Sequence, residues 1–284
     1  MPTVKRFRLA VIAALVIGGT ATASELVLLP SAVTLHGPHA AQRFLVEARE
    51  KAAFVGDRTA RATFAVENPL VARVASDGTV TPVGDGVTHL LATIDGQVSR
   101  APLTVRGWKS EEPWTFRNHV EPILTKLGCN SGACHGASAG KSGLRLSLRA
   151  YAPDTDYDVL TRQALGRRIV ATAPAESLML LKPTAAVEHG GGRRLAPGSL
   201  NYRVISEWIA AGSPPPKATD PKVVTLKVFP PAATLSKGQT QRFLVQAAYS
   251  DGRVEDVTQL AKFTATDEAV ADRKSTRLNS SHSS

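Results

Sequence analysis

Both cysteines of the 284-residue chain stand in one short stretch, CNSGACHG, and a histidine directly follows the second cysteine. Four residues separate Cys129 from Cys134, and His135 comes next. Covalent haem attachment requires two neighbouring thiols with a histidine beside the second, and its usual spacing is C-x-x-C-H. The stretch keeps the cysteine–histidine half of that pattern and lengthens the spacer by two residues, where small residues around Gly132 suit a bulged loop.

A disulfide between the same two cysteines is the alternative. Thiols oxidise readily outside the cytoplasm, and closing so short a loop stabilises a fold by roughly 2 kcal/mol. A disulfide explains Cys129 and Cys134 but gives His135 no role. The spacing alone leaves both alternatives open.

The amino-terminal residues predict an export signal. Lys5, Arg6 and Arg8 precede the apolar run LAVIAALVIGG, and Ala21-Thr22-Ala23 is a small-x-small cleavage site. The apolar run is too short to cross a bilayer comfortably. We therefore expect residues 1–23 to be a signal peptide, no transmembrane segment after its removal, and a mature protein in the periplasm or at the cell surface.

The carboxyl-terminal residues Asp272 to His282 read DRKSTRLNSSH, which matches a translated sequencing-adapter oligonucleotide. We interpret residues 272–284 as an artefact and expect the natural protein to continue after Ala271. Without the three basic residues of the leader and the net two positive charges of this tail, the formal charge falls from +10 to +5. The remaining arginines form no long run, so we expect no nucleic-acid partner.

An internal repeat brackets the cysteines. LLPSAVTLHGPHAAQRFLVEA at 28–48 returns as VFPPAATLSKGQTQRFLVQA at 228–247, with QRFLV identical in both copies. The equivalence continues, so that Asp57 corresponds to Asp256 and Thr59 to Thr258. A repeated segment of this kind indicates two copies of one structural unit.

Within the first copy, short apolar runs alternate with turn residues every 8 to 12 positions, which is typical of a β-sandwich of about 80 residues. The copies resemble bacterial immunoglobulin-like domains of the group 2 type, through ASDGTVTPVGDGVTHLLATIDG in copy one and AYSDGRVEDVTQLAKFTATDEAVA in copy two. The resemblance implies an immunoglobulin-like domain at 24–106 and a second, truncated one at 217–271. Isolated histidines of copy one, His36, His39 and His89, are expected to be loop or turn residues.

The residues between the copies predict helices. Phe116, Val120, Ile123, Leu124 and Leu127 fall on one helical face, with a kink or restart expected at Pro122. A closing helix is expected after the N-cap Ser199, ending at Gly212.

This segment resembles the cytochrome c-like domain of large exported planctomycete-type proteins. The resemblance rests on FRNHVEPILTKLGCNSGACHG, SGLRLSLRAYA, IVATAPAESLMLLKP and SLNYRVISEWIAAGSPPP, and it covers about residues 114 to 216. It implies a cytochrome c-like domain at 107–216, haem c bound covalently through Cys129 and Cys134, and His135 as proximal iron ligand. The predicted fold class is therefore an all-β sandwich, a small all-α cytochrome c-like domain and a truncated second sandwich.

The distal ligand of the family, a methionine before the closing helix, has no counterpart here. His189, followed by three glycines, is the candidate replacement, and a turn histidine beside a flexible glycine run is the alternative. Met179 is the weaker candidate and is expected to pack in the core. Two-histidine ligation favours a lower potential than histidine–methionine ligation. Arg193 and Arg194 would pair with haem propionates or remain solvated, and His119 is expected to be a surface or structural residue.

The first functional hypothesis is an exported electron-transfer or haem-binding module, with an unidentified redox partner protein, carried on immunoglobulin-like spacers. The alternative is a non-haem surface interaction or structural protein that keeps a Cys129–Cys134 disulfide and binds cell-surface proteins. No catalytic residues are predicted, and any catalytic domain would lie beyond Ala271.

Overall fold

The computed structural model describes residues 24–110, 113–269 and 271. The predicted signal peptide at 1–23 and the adapter-like tail at 272–284 lie outside the described residues.

The first module, residues 25–106, consists of ten strands and one 3-10 turn at Thr59–Arg61. The strands are β1 Glu25–Leu29, β2 Val33–His36, β3 Gln42–Arg43, β4 Leu45–Glu50, β5 Ala53–Asp57, β6 Thr63–Val66, β7 Ala72–Val74, β8 Thr79–Pro82, β9 Gly86–Ile94 and β10 Gln97–Arg106. They form three sheets in the orders β1-β4-β5, β2-β10-β9-β6 and β3-β8-β7. Strands β2 and β10 pair in parallel, and the other pairs of this module are antiparallel.

The hairpin of β9 and β10 shows why these residues form strands. In β9 every second residue from Thr88 to Ile94 is buried, and in β10 the buried residues are Ala101, Leu103 and Val105. Side chains alternate between the two faces of a strand, so this pattern gives each strand one face towards the core. Asp95 and Gly96 both have positive φ, as a type I′ two-residue hairpin turn requires.

The core of the first module lies between its sheets. It includes residues from β1, β2, β4 and β7 to β10, and its buried members are Leu28, Leu35, Phe44, Val46, Val71, Ala72, Val80, Leu90, Ala92, Ile94, Ala101, Leu103 and Val105. Of the partly buried residues that pack against this cluster, only Trp108 lies after β10. The module therefore supplies its own core.

The second module begins with β11 Val223–Phe229, β12 Leu244–Tyr249 and β13 Val254–Asp256, in the sheet order β11-β12-β13. The order and antiparallel pairing repeat those of β1, β4 and β5. Phe243 is 42% exposed, whereas its equivalent Phe44 is completely buried. In the described part of the second module, one face of this sheet is thus left uncovered where the first module places a second sheet.

The residues between the modules form short helices joined by turns. A π-helical turn at Phe116–Val120 leads into α1 Glu121–Lys126, and α2 Pro153–Thr161, α3 Leu178–Leu181 and α4 Leu200–Ala210 follow. Further 3-10 turns lie at Leu148–Ala150, Ala164–Gly166 and Pro174–Glu176. Pro122 lies in the first turn of α1, so the predicted restart there is confirmed. Ser199 caps α4 as predicted, since its Oγ accepts a hydrogen bond from the Tyr202 N–H at 3.2 Å.

These short helices share one apolar cluster around Trp208, which is completely buried. Phe116 and Tyr157 pack around this indole, with ring centroids 5.5 Å and 6.3 Å from it. Met179, 8% exposed, belongs to the cluster, which confirms its predicted place in the core.

The predicted fold class is wrong. The described residues are mostly β-sheet, in four sheets, and the longest helix, α4, has only 11 residues. Between α1 and α4, prolines and positive-φ residues such as Ser142, Ala164 and Ala185 divide the chain into turns. The apolar cluster is also not separate, because Leu260 of the second module packs against it. No distinct small all-α cytochrome c-like domain is therefore evident in the described residues.

A carboxyl group is buried beside α1. Glu121 is 2% exposed and its Oε1 has no hydrogen-bond partner among the described residues. Burial, together with the hydrogen bond and charge of neighbouring Asp156, raises the pKa of Glu121 to about 9. Asp156 itself accepts hydrogen bonds from the Ser147 backbone N–H and hydroxyl at 2.5 Å and 2.6 Å. Glu121 is therefore protonated in the folded protein at neutral pH.

We expect this carboxyl to make stability depend on pH. A carboxyl with a raised folded-state pKa stabilises fully below its unfolded pKa, near 4.5, and that contribution is lost as the pH rises towards about 9. The free energy of unfolding should fall by a few kcal/mol between pH 5 and pH 9. Glu121→Gln, which cannot ionise, should flatten that slope in urea titrations followed by tryptophan fluorescence. An equal slope in Glu121→Gln and wild type would contradict this account.

Candidate functional site

The cysteine segment begins where α1 ends. Gly128 has φ +79°, a left-handed conformation that glycine adopts without strain, and it turns the chain out of the helix. The Cys129 N–H then donates to the Leu124 carbonyl at 2.9 Å. The opening helix therefore determines where the first cysteine lies.

The stretch from Cys129 to Gly136 closes on itself. The His135 N–H donates to the Cys129 carbonyl at 2.9 Å, and the Gly136 N–H donates to the Ser131 carbonyl at 3.0 Å. A Cβ on Gly136 would lie 2.2 Å from the Asn130 carbonyl oxygen, so only glycine fits there. A Cβ on Gly132 would meet no atom within 4 Å. The two extra residues of the spacer therefore lie in an open turn, while Gly136 is required by close backbone packing.

Asn130 fastens this turn to the rest of the fold. Its side chain is 2% exposed, and its Nδ2 donates to Thr125 Oγ1 at 2.8 Å. Its carbonyl accepts a hydrogen bond from the Arg149 N–H at 3.3 Å. Asn130 was not among the residues predicted from the sequence, because a buried asparagine between two cysteines has no spacing signature.

Both cysteines are free thiols and both are partly buried. Cys129 packs against the apolar cluster around Trp208. Burial, and next the neighbouring Cys134, raise the pKa of the Cys129 thiol to about 11, while Arg194 acts in the opposite direction. The first cysteine is therefore a protonated thiol at neutral pH.

The structure brings His189 to His135, although 53 residues separate them in the chain. Their ring centroids are 6.5 Å apart and the ring planes differ by 14°. His135 Nδ1 lies 3.2 Å from the Leu144 carbonyl oxygen, and His189 Nδ1 lies 2.8 Å from the Gly192 carbonyl oxygen. A carbonyl oxygen only accepts, so each Nδ1 carries the proton and each Nε2 keeps its lone pair when the ring is neutral.

The electrostatics favour a neutral His135 ring. Burial lowers the pKa of His135, and the nearby His189 lowers it further. His135 is therefore neutral at physiological pH and able to act as a ligand.

The glycines after His189 fold over its ring. A Cβ on Gly191 would lie 2.9 Å from His189 Cε1, and Gly192 has φ +67°. This fold returns the Gly192 carbonyl to His189 Nδ1, and Arg194 Nε donates to the Gly191 carbonyl at 2.8 Å. The glycine run therefore orients the His189 imidazole through the backbone.

Other predicted residues lie elsewhere. His119 is partly buried and its Nδ1 accepts from the Thr115 N–H at 3.0 Å, while burial lowers its pKa to about 4, so its predicted structural role is confirmed. His39 lies in a turn, as expected, and packs on Trp114 with centroids 4.7 Å apart. The loop or turn expectation is wrong for His36, which ends β2, and for His89, which lies in β9 and pairs with Glu67 at 3.0 Å. Arg193 and Arg194 are exposed; their pairing with propionates stays a prediction.

The residues that the structure describes contain no group of three or more histidine, cysteine, aspartate or glutamate side chains arranged to hold a metal ion. The prediction of a cytochrome c-like, metal-binding domain is therefore wrong for the described residues: they contain no distinct all-α domain and no group of side chains that could hold a metal ion by itself. The overall fold gives no support to the hypothesis of haem binding and electron transfer. Any support for them must come from the local geometry of Cys129, Cys134, His135 and His189.

Comparison with known proteins gives no family. No family model matches the chain, and no curated protein matches it. Solved structures that resemble part of it include the S-layer protein rSbsC(31-844), with 15% identity over 30% of this chain and 13% of that one, at a TM-score of 0.24. SbsC domains 5-6 match at 15% identity over 30% and 44% of the two chains, with a TM-score of 0.25. These likenesses are too slight to assign a fold or a function.

Across residues 24–110, 113–269 and 271, no helix is both long and apolar enough to cross a membrane.

The burial of Cys129 predicts slow alkylation. In reduced apoprotein carrying Cys134→Ala, Cys129 should react with iodoacetamide many times more slowly at pH 8 than in the same protein unfolded in urea, because its pKa is about 11. The rate should still rise between pH 8 and pH 10. Equal rates in folded and unfolded protein would show that the thiol is neither buried nor shifted.

Proposed function

We propose that Cys129, Cys134, His135 and His189 hold a covalently bound haem c, and that the protein is an exported haem-binding, electron-transfer module. The observation that carries this proposal is the pairing of His135 with His189 across 6.5 Å in nearly parallel planes. Because no cytochrome c-like domain is evident in the described residues, the proposed site consists only of these four residues, which lie in two turns.

The distance between the two ring centroids can be compared with the distance that two metal-bound imidazoles would have. Imidazole nitrogens bind transition metals at about 2.0 Å, and each ring adds about 1 Å from nitrogen to centroid. If both rings were to hold one iron, their centroids would therefore be about 6 Å apart. The observed separation of 6.5 Å is close to that value, and because the rings are stacked, holding one metal would require their Nε2 atoms to turn towards each other.

The hydrogen bonds of both rings support a ligand role. Metal-binding histidines almost always donate the second ring N–H to a carboxylate, a backbone carbonyl or water, which selects the tautomer and orients the ring. His135 and His189 both meet this condition through the carbonyls of Leu144 and Gly192.

A porphyrin would supply the metal ligands that the protein side chains do not provide. Two imidazoles are too few to hold a bare ion, but a porphyrin supplies its own four nitrogens to iron. Each thiol would add across one vinyl group, the sulfur bonding one vinyl carbon and the thiol hydrogen the other, so no oxidant or leaving group is needed. Cys129 and Cys134 would thereby fasten the group beside His135.

When bound, haem supplies a reversible one-electron change at iron, and two histidine ligands favour a lower potential than histidine with methionine. The chain's part is to hold and orient. Cys129 packs against the apolar cluster, which limits water on that side, and Arg194 places positive charge near it. The electron would pass to a redox partner protein in the periplasm or at the cell surface.

The second candidate is a non-haem surface interaction or structural protein with a Cys129–Cys134 disulfide. The observation in its favour is the closed turn, in which the His135 N–H donates to the Cys129 carbonyl and Cys134 lies near enough to shift the Cys129 pKa. A disulfide does not explain why His135 and His189 are paired.

One experiment separates the two candidates. The full chain with its own leader is produced in a host with cytochrome c maturation, and the purified protein is examined by pyridine haemochrome spectrum and intact mass. We expect the mass of the leaderless chain plus one haem, and the spectrum of a haem joined by two thioethers. A mass two hydrogens below that of the leaderless apoprotein, with no Soret band, would contradict the haem proposal and favour the disulfide.

The sixth ligand is tested by His189→Ala. Loss of one imidazole should convert a low-spin spectrum to a high-spin one while the thioether-bound haem stays in place, since the cysteines are untouched. His89→Ala, which removes a histidine from the first module, is the matched control and should leave the spectrum unchanged. A low-spin spectrum that persists in His189→Ala would remove this residue from the site.

A further inference from the structure

The two repeat modules contact each other through equivalent residues. Arg43 N donates to Asp256 Oδ2 at 3.0 Å, and Arg242 N donates to Asp57 Oδ2 at 3.3 Å. Their guanidinium groups also face these carboxylates, at 3.7 Å and 3.0 Å. Arg242 is the repeat equivalent of Arg43, and Asp256 is that of Asp57. The same ion pair therefore occurs twice with its partners exchanged.

Gln42 and Gln241, which directly precede these two arginines, also make equivalent contacts with the opposite module. Gln246 Nε2 donates to Gln42 Oε1 at 2.7 Å, and Gln241 Nε2 donates to Glu47 Oε1 at 2.5 Å. Gln241 is the equivalent of Gln42, and Gln246 that of Glu47. The polar part of the contact is thus reciprocal at two independent positions.

The apolar part is reciprocal as well. A separate buried cluster contains Leu29 and Leu45 of the first module and Leu244 of the second, with Phe229 packed against it. Leu45 and Leu244 are repeat equivalents, and so are Leu29 and Phe229. Both modules therefore contribute the same two positions to one shared cluster.

Each aspartate side chain is positioned by a hydrogen bond within its own module. Asp57 Oδ1 accepts from the Thr59 N–H at 2.8 Å, and Asp256 Oδ1 accepts from the Thr258 N–H at 2.9 Å. Both aspartate side chains are 4% exposed. The second oxygen of each carboxylate is thereby left for the arginine of the other module.

We propose that this face of the module, formed by Gln42, Arg43, Leu45, Glu47 and Asp57, is a self-recognition surface whose partner is a second copy of the same module. A contact in which position i meets j and j meets i is the arrangement of a two-fold symmetric dimer. Within one chain the second module occupies the surface. A first module released from that contact binds the first module of another chain.

The full chain tests this with Arg242→Asp combined with Asp256→Asn. The carboxylate introduced at position 242 would repel Asp57. The amide introduced at position 256 removes the charge that Arg43 binds, while keeping an oxygen for the Thr258 N–H. The second module is thereby detached, and the first keeps its whole surface. In sedimentation equilibrium up to about 100 µM, we expect wild type to be a monomer and this variant a reversible dimer.

Adding Arg43→Asp should return that variant to a monomer, because the carboxylate introduced at position 43 would face Asp57 of the second copy. Arg73→Asp is the matched control: Arg73 is exposed and its Nε donates to Thr81 Oγ1, away from the surface, so the dimer should persist. A monomeric double variant, or a dimer that survives Arg43→Asp, would overturn the proposal.

A substitution that is expected to strengthen the association tests the same surface. Glu47 Oε2 and Gln241 Oε1 have no hydrogen-bond partner among the described residues, and burial raises the pKa of Glu47 to about 7. Glu47→Gln recreates the Gln42–Gln246 pair, and in a dimer of first modules it would supply an uncharged donor to Gln42 of the second copy. Residues 24–110, which contain the complete first core, should form a dimer several-fold tighter at pH 8 with Glu47→Gln than without it. Weaker association in Glu47→Gln would count against the surface.

Discussion

The architecture depends on two buried aspartates, Asp57 and Asp256. Each ends a strand, accepts the backbone N–H of a threonine two residues later, and presents its second oxygen to an arginine of the other module. An isolated buried carboxylate is costly, so each of these groups requires both partners. The turn within each module and the contact between the modules are therefore coupled through the same side chains.

The pairing of the modules brings both ends of the middle segment close to them. Trp114, at its start, packs on His39 of the first module, and Asn118 Nδ2 donates to the Pro221 carbonyl near its end. Lys126, at the end of α1, donates to the Ala261 carbonyl of the second module. Since α1 leads directly into the cysteine turn, the position of that turn depends on contacts with the second module.

Elements with strong local signals are predictable from the sequence. Residue type and periodicity predict the N-cap Ser199, the helix restart at Pro122 and the core position of Met179, and the structure has them as expected. The prediction of an all-α middle domain was wrong because helical periodicity near 116–127 and 200–210 gives no information about the turns between these two stretches. Asn130 was not predicted because a buried asparagine has no spacing signature, and the carbonyls of Leu144 and Gly192 were not predicted because a backbone oxygen has no sequence signature.

By itself, the sequence determined the candidate residues Cys129, Cys134, His135 and His189, and the correspondence between the two repeats. Spacing and self-similarity are properties of the chain alone. Only the tertiary structure decided that the His135 and His189 rings lie 6.5 Å apart, and that equivalent residues of the repeats meet across one contact. Both results depend on where distant segments pack, and that is decided by the burial of apolar clusters drawn from the whole chain.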